Sequence, residues 1–289
     1  MAQLPTGYEP TKTGAEMTDA EIKAQLMAEH KQKDVKRSNF PTEIVPLPSK
    51  GLLYPEGHPL AGGSIEMKYM TAREEDILTS QNLIKQGVVL DKLFESLIVT
   101  PIEYADLYVG DKNAIMVAAR ILGYGKDYVV EVDDPFSPGT KQKVTIDLTQ
   151  IEHREVDYSP FEQRKNEFDF ELPQSRRVVT FRLMTHKLEK DIQTEIKGMN
   201  KTQVRTGIDR ELTTRLKNMI LAVDGETGRA AVNNFVDNEL FALDSRALRA
   251  HIKEISPDLD MTFTFVSDTT GEVKEMEIPM DVSFFWPNS

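Results

Sequence analysis

The histidines are the residues of this chain most able to hold a metal ion. They are His30, His58, His153, His186 and His251. No two stand four residues apart, the spacing that places two imidazoles on one helix face around zinc. The chain has no cysteine, which excludes disulfides, thiolate zinc sites and cysteine nucleophiles. We therefore expect no metal and place each histidine at the surface or at the boundary of the core.

A glycine-rich segment at residues 123–126 invites comparison with a phosphate-binding loop. Walker spacing would put its first glycine at Arg120 and its Ser/Thr at Asp127, so the pattern fails at both ends. Gly123 and Gly125 instead predict the end of a helix before a hairpin. No nucleotide or other cofactor is expected.

The acidic residues do not indicate a catalytic or metal-binding site. Asp133 with Asp134, and Asp258 with Asp260, lack the sixth-position glycine and closing glutamate of a calcium loop. The 47 acidic residues guarantee accidental carboxylate pairs, and neither a nucleophile elbow nor a dinucleotide fingerprint is present. We expect a protein that is not an enzyme and has no small-molecule substrate.

Charge and hydropathy disfavour two further classes of partner, nucleic acids and membranes. The formal net charge is −12, and the basic residues are spread along the chain, which disfavours nucleic-acid binding. No run of eighteen uncharged apolar residues exists, so we expect no membrane contact. Residues 1–10 do not have the pattern of a secretory signal, which predicts synthesis in a cytoplasm.

An internal repeat is the main organising feature. Two alternating apolar stretches predict half-buried strands, each followed by Met-Thr and a helix. The first is Ile65, Met67 and Tyr69, and the second is Val179, Phe181 and Leu183. Met70-Thr71 reappears as Met184-Thr185, 114 residues later, and Glu74 stands at the capping-box position of the first helix.

The repeat distance then grows in steps. An apolar helix face that includes Leu90 reappears with Leu212 after 122 residues, and Asp111 reappears as Asp244 after 133. The hairpin residues Val130 and Val144 return as Phe263 and Met276, 133 and 132 residues later. Because loops tolerate insertions and packed faces do not, this indicates a duplication followed by changes of loop length. We interpret both aspartates as helix N-caps.

The predicted fold is therefore α+β, with two tandem degenerate copies of a strand, three-helix, β-hairpin module. A flexible N-terminal arm (1–40) precedes them, with one helix indicated by a capping box at Thr18 and Glu21. The first module takes residues 41–158 and the second takes residues 159–289. The segment from Glu152 to Gln174 is interpreted as the link between them.

Two apolar-aromatic segments are the candidates for partner binding. One contains Leu52, Leu53 and Tyr54, and the other contains Phe284, Phe285 and Trp286, the single tryptophan. Rigid aromatic side chains dominate the energy of many interfaces. For the terminal aromatics, the alternative is that they seal the sheet of their own chain.

Four motifs in order resemble those of the baseplate hub subunit or hub assembly protein family of T-even-type tailed phages. They are Leu47 to Tyr54, Met70-Thr71 with the acids 74–76, Gly110-Asp111 leading to Arg120 and Gly123-Tyr124-Gly125, and Phe284 to Pro287. The resemblance implies a virion or assembly role in a contractile tail. Its partners would be other phage baseplate hub or wedge proteins, met in the host cytoplasm during assembly or in the tail baseplate. Family members often carry cysteine pairs in the hairpins, where this chain has residues 133–140 and 267–272.

Two other functions are compatible with the residues. A non-enzymatic cytosolic adaptor unrelated to phages would use the two modules as similar docking faces. An unrecognised carboxylate-dependent hydrolase is the enzymatic alternative.

Overall fold

Helices and short antiparallel hairpins alternate along the chain, which confirms the α+β class. The structure is a computed structural model that describes residues 41–161, 164–202, 210–280 and 284–286. The strands are β1 (Thr42–Pro46), β2 (Ser64–Lys68), β3 (Asp127–Asp133), β4 (Lys141–Asp147), β5 (Phe168–Glu171), β6 (Val178–Phe181), β7 (Ile220–Val223), β8 (Thr262–Val266) and β9 (Val273–Glu277). The helices are α1 (Ala72–Thr79), α2 (Gln81–Gln86), α3 (Val89–Leu97), α4 (Val109–Tyr124), α5 (His186–Thr202), α6 (Glu211–Met219), α7 (Arg229–Asn234) and α8 (Ala242–Ile255). The predicted arm helix with Thr18 and Glu21 lies outside the described residues.

The two halves share one order of elements. Each opens with an antiparallel hairpin, β1-β2 or β5-β6, continues with helices, and ends with a second hairpin, β3-β4 or β8-β9. The sequence-based prediction did not include the first strand of each half, because β1 and β5 are only five and four residues long. Strand β5 lies in the segment interpreted as a link.

Matching strand registers connect the two halves position by position. Met67 bridges Ile98 in the first half, and Phe181 pairs with Ile220 in the second. Phe181 follows Met67 by 114 residues and Ile220 follows Ile98 by 122, which are the two offsets that the sequence predicts. The terminal hairpins agree as well, since Val130 faces Val144 just as Phe263 faces Met276. We use the word counterpart below for residues related by these offsets.

The hydrophobic cores divide the chain differently from the predicted boundary at residue 158. The first core uses residues 45–148 and is completed by side chains from the end of the chain, among them Phe265 and Phe284. The second core uses residues 161–255 and receives Leu53 from the first half. The second hairpin therefore packs on the first core, and Thr42–Ser289 forms one compact unit.

Polar contacts between the hairpin tips hold this arrangement. Ser267 Oγ donates to Asp134 Oδ2 at 2.6 Å, and Gln142 Nε2 donates to the carbonyl oxygen of Val266 at 2.9 Å. A strand pair in isolation is only marginally stable in water, so two hairpins that share one core stabilise each other.

The predicted capping box at the start of α1 is present. Glu74 is fully buried and accepts hydrogen bonds from Lys68 Nζ (2.8 Å), from the Thr71 backbone N–H (3.0 Å) and from Ser96 Oγ (2.8 Å). Burial alone would raise the pKa of Glu74, but these donors outweigh it and lower the pKa to about 2. One carboxylate therefore joins β2, α1 and α3.

The lowered pKa of Glu74 predicts a pH-dependent contribution to stability. The folded pKa lies below the unfolded value of 4.5, so the ionised carboxylate stabilises the fold above pH 4.5, and this contribution is lost as the pH falls toward about 2. We expect Glu74→Gln to lower the melting temperature at pH 7 and the deficit to shrink on acidification. Thermal melts across this pH range measure it, with the exposed neighbour substitution Glu75→Gln as control. A deficit that is constant with pH would contradict the assignment.

Candidate docking surface

The repeated aspartates Asp111 and Asp244 are not helix N-caps, so that interpretation was wrong. The N-cap residues are Tyr108 for α4 and Phe241 for α8, and each aspartate is the third residue of its helix. Both carboxylates bind backbone outside their own helix. The physical reason is that donors from a preceding hairpin loop lie within reach of this first turn.

Asp111 fastens the loop between β1 and β2. It accepts the backbone N–H of Ser49 (3.0 Å), the Ser49 hydroxyl (2.8 Å) and the Tyr54 hydroxyl (2.7 Å). Burial raises the pKa of Asp111, although these three donors act in the opposite direction. Burial, together with the Asp111 charge, also raises the pKa of Tyr54, so its hydroxyl remains a donor.

Asp244 performs the same task in the second half. It accepts the backbone N–H groups of Gln174 (2.7 Å) and Ser175 (3.0 Å) in the loop between β5 and β6. Burial would raise the pKa of Asp244, but these donors outweigh it and hold the pKa below its usual range. Each half thus uses a buried aspartate to tie its first hairpin to its long helix.

The hairpin loop of the first half is eleven residues longer than that of the second. A bond from Leu47 N–H to Gly63 O closes the first loop, and one from Leu172 N–H to Arg177 O closes the second, both at 2.9 Å. The extra residues include the predicted partner-binding segment 52–54. This insertion is therefore what distinguishes the first hairpin from the second.

The inserted segment joins the two halves. Leu53 and Tyr54 are buried and Leu52 is half-buried. Leu53 packs in the second core while Tyr54 packs in the first, and the Tyr108 hydroxyl donates to the Leu53 carbonyl oxygen at 3.1 Å. Gly51 permits the tight turn, since its φ is +74° and a Cβ there would lie 2.5 Å from backbone oxygens.

The terminal aromatic segment is covered by its own chain. Phe284 meets the Tyr128 ring edge-on at 5.1 Å between centroids, and Phe285 packs 5.9 Å from Phe94. Trp286 is half-buried, and its Nε1 donates to the carbonyl oxygen of Leu78 at 3.2 Å. The structure thus buries four of the six predicted partner-binding side chains, which favours the self-sealing alternative.

The halves meet through a short antiparallel backbone pairing. The Val109 N–H donates to the Met184 carbonyl oxygen at 3.1 Å, and the His186 N–H donates to the Leu107 carbonyl oxygen at 2.8 Å. Tyr108, between them, bridges Thr185. The start of α4 in the first half is thereby paired with the start of α5 in the second.

A polar cluster borders this pairing. Lys112 Nζ lies 3.2 Å from His186 Nδ1 and 3.8 Å from both Asp91 and Glu189, and His186 Nε2 lies 3.5 Å from Asp91 Oδ2. Burial, with the nearby Lys112 ammonium, lowers the pKa of His186. His186 is thus a buried, neutral residue between the halves at pH 7, where the sequence placed it at the surface or boundary.

The two halves also meet where the backbone of Gly110 lies close to that of Pro257. A Cβ on Gly110 would lie 1.9 Å from the Pro257 carbonyl oxygen, so no other residue fits there without movement of the backbone. Pro257 lies just after α8, which ends at Ile255. The counterpart of Pro257 is Tyr124, which is still part of α4.

In the second half, the described residues leave the same face exposed. The counterparts of Leu90, Tyr108 and Gly110 are Leu212, Phe241 and Leu243, whose exposed fractions are 43%, 49% and 56%. We call these three residues the open face. The backbone of Phe241 (φ −64°, ψ 150°) matches that of Tyr108 (φ −70°, ψ 149°), so the edge that pairs in the first half has the same shape in the second.

The open face is the best candidate for a functional surface. An interface core is built from aromatic and aliphatic side chains on a rigid support, and α6 and α8 supply that support here. The offsets already align Phe241 with Tyr108, so the signal was present in the sequence. Which of the two faces is covered could be learned only from the packing.

Other kinds of site find little support in the described part of the chain. Within residues 41–161, 164–202, 210–280 and 284–286, no group of three or more His, Asp or Glu side chains is arranged to hold a metal ion. No helix in those ranges is long and apolar enough to cross a bilayer. Comparisons of the chain with protein-family models, curated proteins and solved structures found no match.

Proposed function

We propose that this chain is a structural or assembly component of a contractile phage tail baseplate, and that it acts by protein-protein binding. The observation that carries the binding role is the open face, three large apolar side chains on a surface whose counterpart in the first half is an interface. Contiguous exposed apolar surface marks interaction sites on many proteins.

The baseplate assignment is supported by the motifs behind the family resemblance, because three of the four contact one another. Ser49 and Tyr54 of the first motif bind Asp111 of the third. Gly123 of the third lies against the Met70 side chain of the second. Residues that contact one another must remain compatible with one another, which supports using these motifs jointly as the basis of the resemblance.

Binding should depend on Phe241. We expect wild-type protein, co-expressed with the hub and wedge proteins of the same phage, to retain at least one of them on affinity purification. Aspartate in place of an interface aromatic costs about 2 kcal/mol or more, which is roughly a 30-fold loss of affinity. Phe241→Asp should therefore lose the partner.

Val273→Asp is the matched control, because Val273 is also an exposed apolar residue but lies on β9. It should bind like wild type. Retention of no hub or wedge protein by the wild-type chain would overturn the baseplate assignment. Equal binding by Phe241→Asp and wild type would remove the open face from that function.

A further inference from the structure

We propose that the open face of one copy receives the Met70–Ala72 segment of a second copy, so that chains associate head to tail. This inference rests on the proposed binding role of the open face, and it makes a second copy the occupant of that face in the isolated protein. Its basis is that the chain forms the same kind of contact once within itself.

The internal contact has two sides, and each has a counterpart elsewhere in the chain. One side is residues 107–109, whose counterpart is 240–242 at the open face. The other side is residues 184–186, whose counterpart is Met70–Ala72 at the start of α1. Phe241 and Ala72 are both exposed. One copy therefore presents both sides of this interface, one on each half.

The substitutions at the open face make it more apolar than the internal interface. Phe241 lacks the hydroxyl that Tyr108 donates to Leu53. Two charged residues of the internal polar cluster, Asp91 and Lys112, have the counterparts Thr213 and Ser245. Ser245 is buried, so it adds no charge to the open face.

Leu243 is compatible with this contact although its counterpart is the sterically required Gly110. The glycine is required by Pro257, which belongs to the connection from Ile255 to Thr262. In the proposed contact, the first half of one copy covers the open face of another. The connection from α4 to β3 in that first half runs only from Tyr124 to Asp127. It is shorter than the connection that carries Pro257, so a leucine side chain has room at position 243.

The contact joins two different surfaces, so it is heterologous. Such contacts form a closed ring when the rotation between copies permits closure and an open chain when it does not. The formal charge of −12 makes copies repel one another, and the open face is apolar. Association should therefore strengthen as added salt screens the repulsion.

Two single substitutions on opposite sides of the contact test the proposal. Wild-type protein should sediment as species larger than a monomer, increasingly so at higher concentration and salt. Phe241→Asp and Ala72→Asp should each be monomeric. Aspartate at position 72 is favourable for the helix itself because it is the first residue of α1. Val273→Asp should associate like wild type.

Mixing the two variants is the decisive measurement. Ala72→Asp keeps its open face and Phe241→Asp keeps its Met70–Ala72 segment, so an equimolar mixture should form a 1:1 dimer that cannot extend. Wild-type protein that is monomeric at all concentrations, or a mixture that remains monomeric, would overturn the proposal. If the isolated chain is monomeric yet retains hub or wedge proteins, self-association fails while the proposed function stands. If it self-associates but retains none of them, the baseplate assignment fails instead.

Discussion

Replacing Phe284 by alanine should destabilise the protein by about 3 to 5 kcal/mol, the usual range for a buried phenylalanine. Phe284 is 1% exposed and packs against Tyr128 and Phe285 in the first core. For a compact unit of this size, 1 kcal/mol shifts the melting temperature by about 2 to 4 °C. The expected loss is therefore roughly 6 to 20 °C, measured by circular dichroism or calorimetry.

Truncation after Pro279 extends the same prediction to the whole segment. It removes Phe284, Phe285 and Trp286 together and should lower the melting temperature at least as much as Phe284→Ala. The control is Val273→Ala, which removes an exposed apolar side chain and should change melting by little. If truncation left melting intact but abolished complex formation, the segment would be a partner-binding element, and its burial would not reflect a sealing role.

Replacing Asp111 by alanine is the second change with a large expected effect. The substitution leaves the Ser49 N–H, the Ser49 hydroxyl and the Tyr54 hydroxyl without their acceptor in a buried site. Each unsatisfied buried donor costs about 1 to 3 kcal/mol, so the total loss should be about 3 kcal/mol or more. It should also loosen the inserted loop that places Leu53 in the second core.

Graded variants test whether the hydrogen bonds are the cause. Ser49→Ala removes one of the three donors and should cost less than Asp111→Ala. Asp111→Asn keeps the volume and one carbonyl acceptor and should fall between them. Chemical denaturation at pH 7 gives the order. Equal stabilities of the alanine and asparagine variants at position 111 would show that shape alone matters there.

The raised pKa of Asp111 gives this site a pH dependence opposite to that of Glu74. Its folded pKa lies above the unfolded value of 3.8, so the folded state holds its proton more tightly and stability falls as pH rises from about 3.8 to the folded pKa. Asp111→Asn has no such proton. The stability advantage of wild type over Asp111→Asn should therefore be largest below pH 3.8 and shrink as the pH rises toward the folded pKa. An advantage that grows with pH would contradict the raised pKa.

The local structure and the repeat were predictable from the sequence. Apolar alternation, helix periodicity and the Thr71–Glu74 box depend on neighbours within a few residues, so they could be interpreted before any packing was known. The offsets located counterpart positions correctly, because packed faces keep their spacing while loops change. The strand pairs Met67–Ile98 and Phe181–Ile220 agree with those offsets.

Which faces are covered depends on packing between distant segments of the chain. The acceptor role of Asp111, the burial of His186 and the move of the second hairpin to the first core depend on residues far apart in sequence. The same holds for the terminal aromatics, since the composition of an apolar segment does not specify whether its cover is internal. Tyr108 and Phe241 have the same local backbone, yet Tyr108 lies in an interface and Phe241 is exposed. The physical reason is that local conformation is set by the chain itself, whereas burial requires a second surface, and the first half has one from its neighbour in the chain.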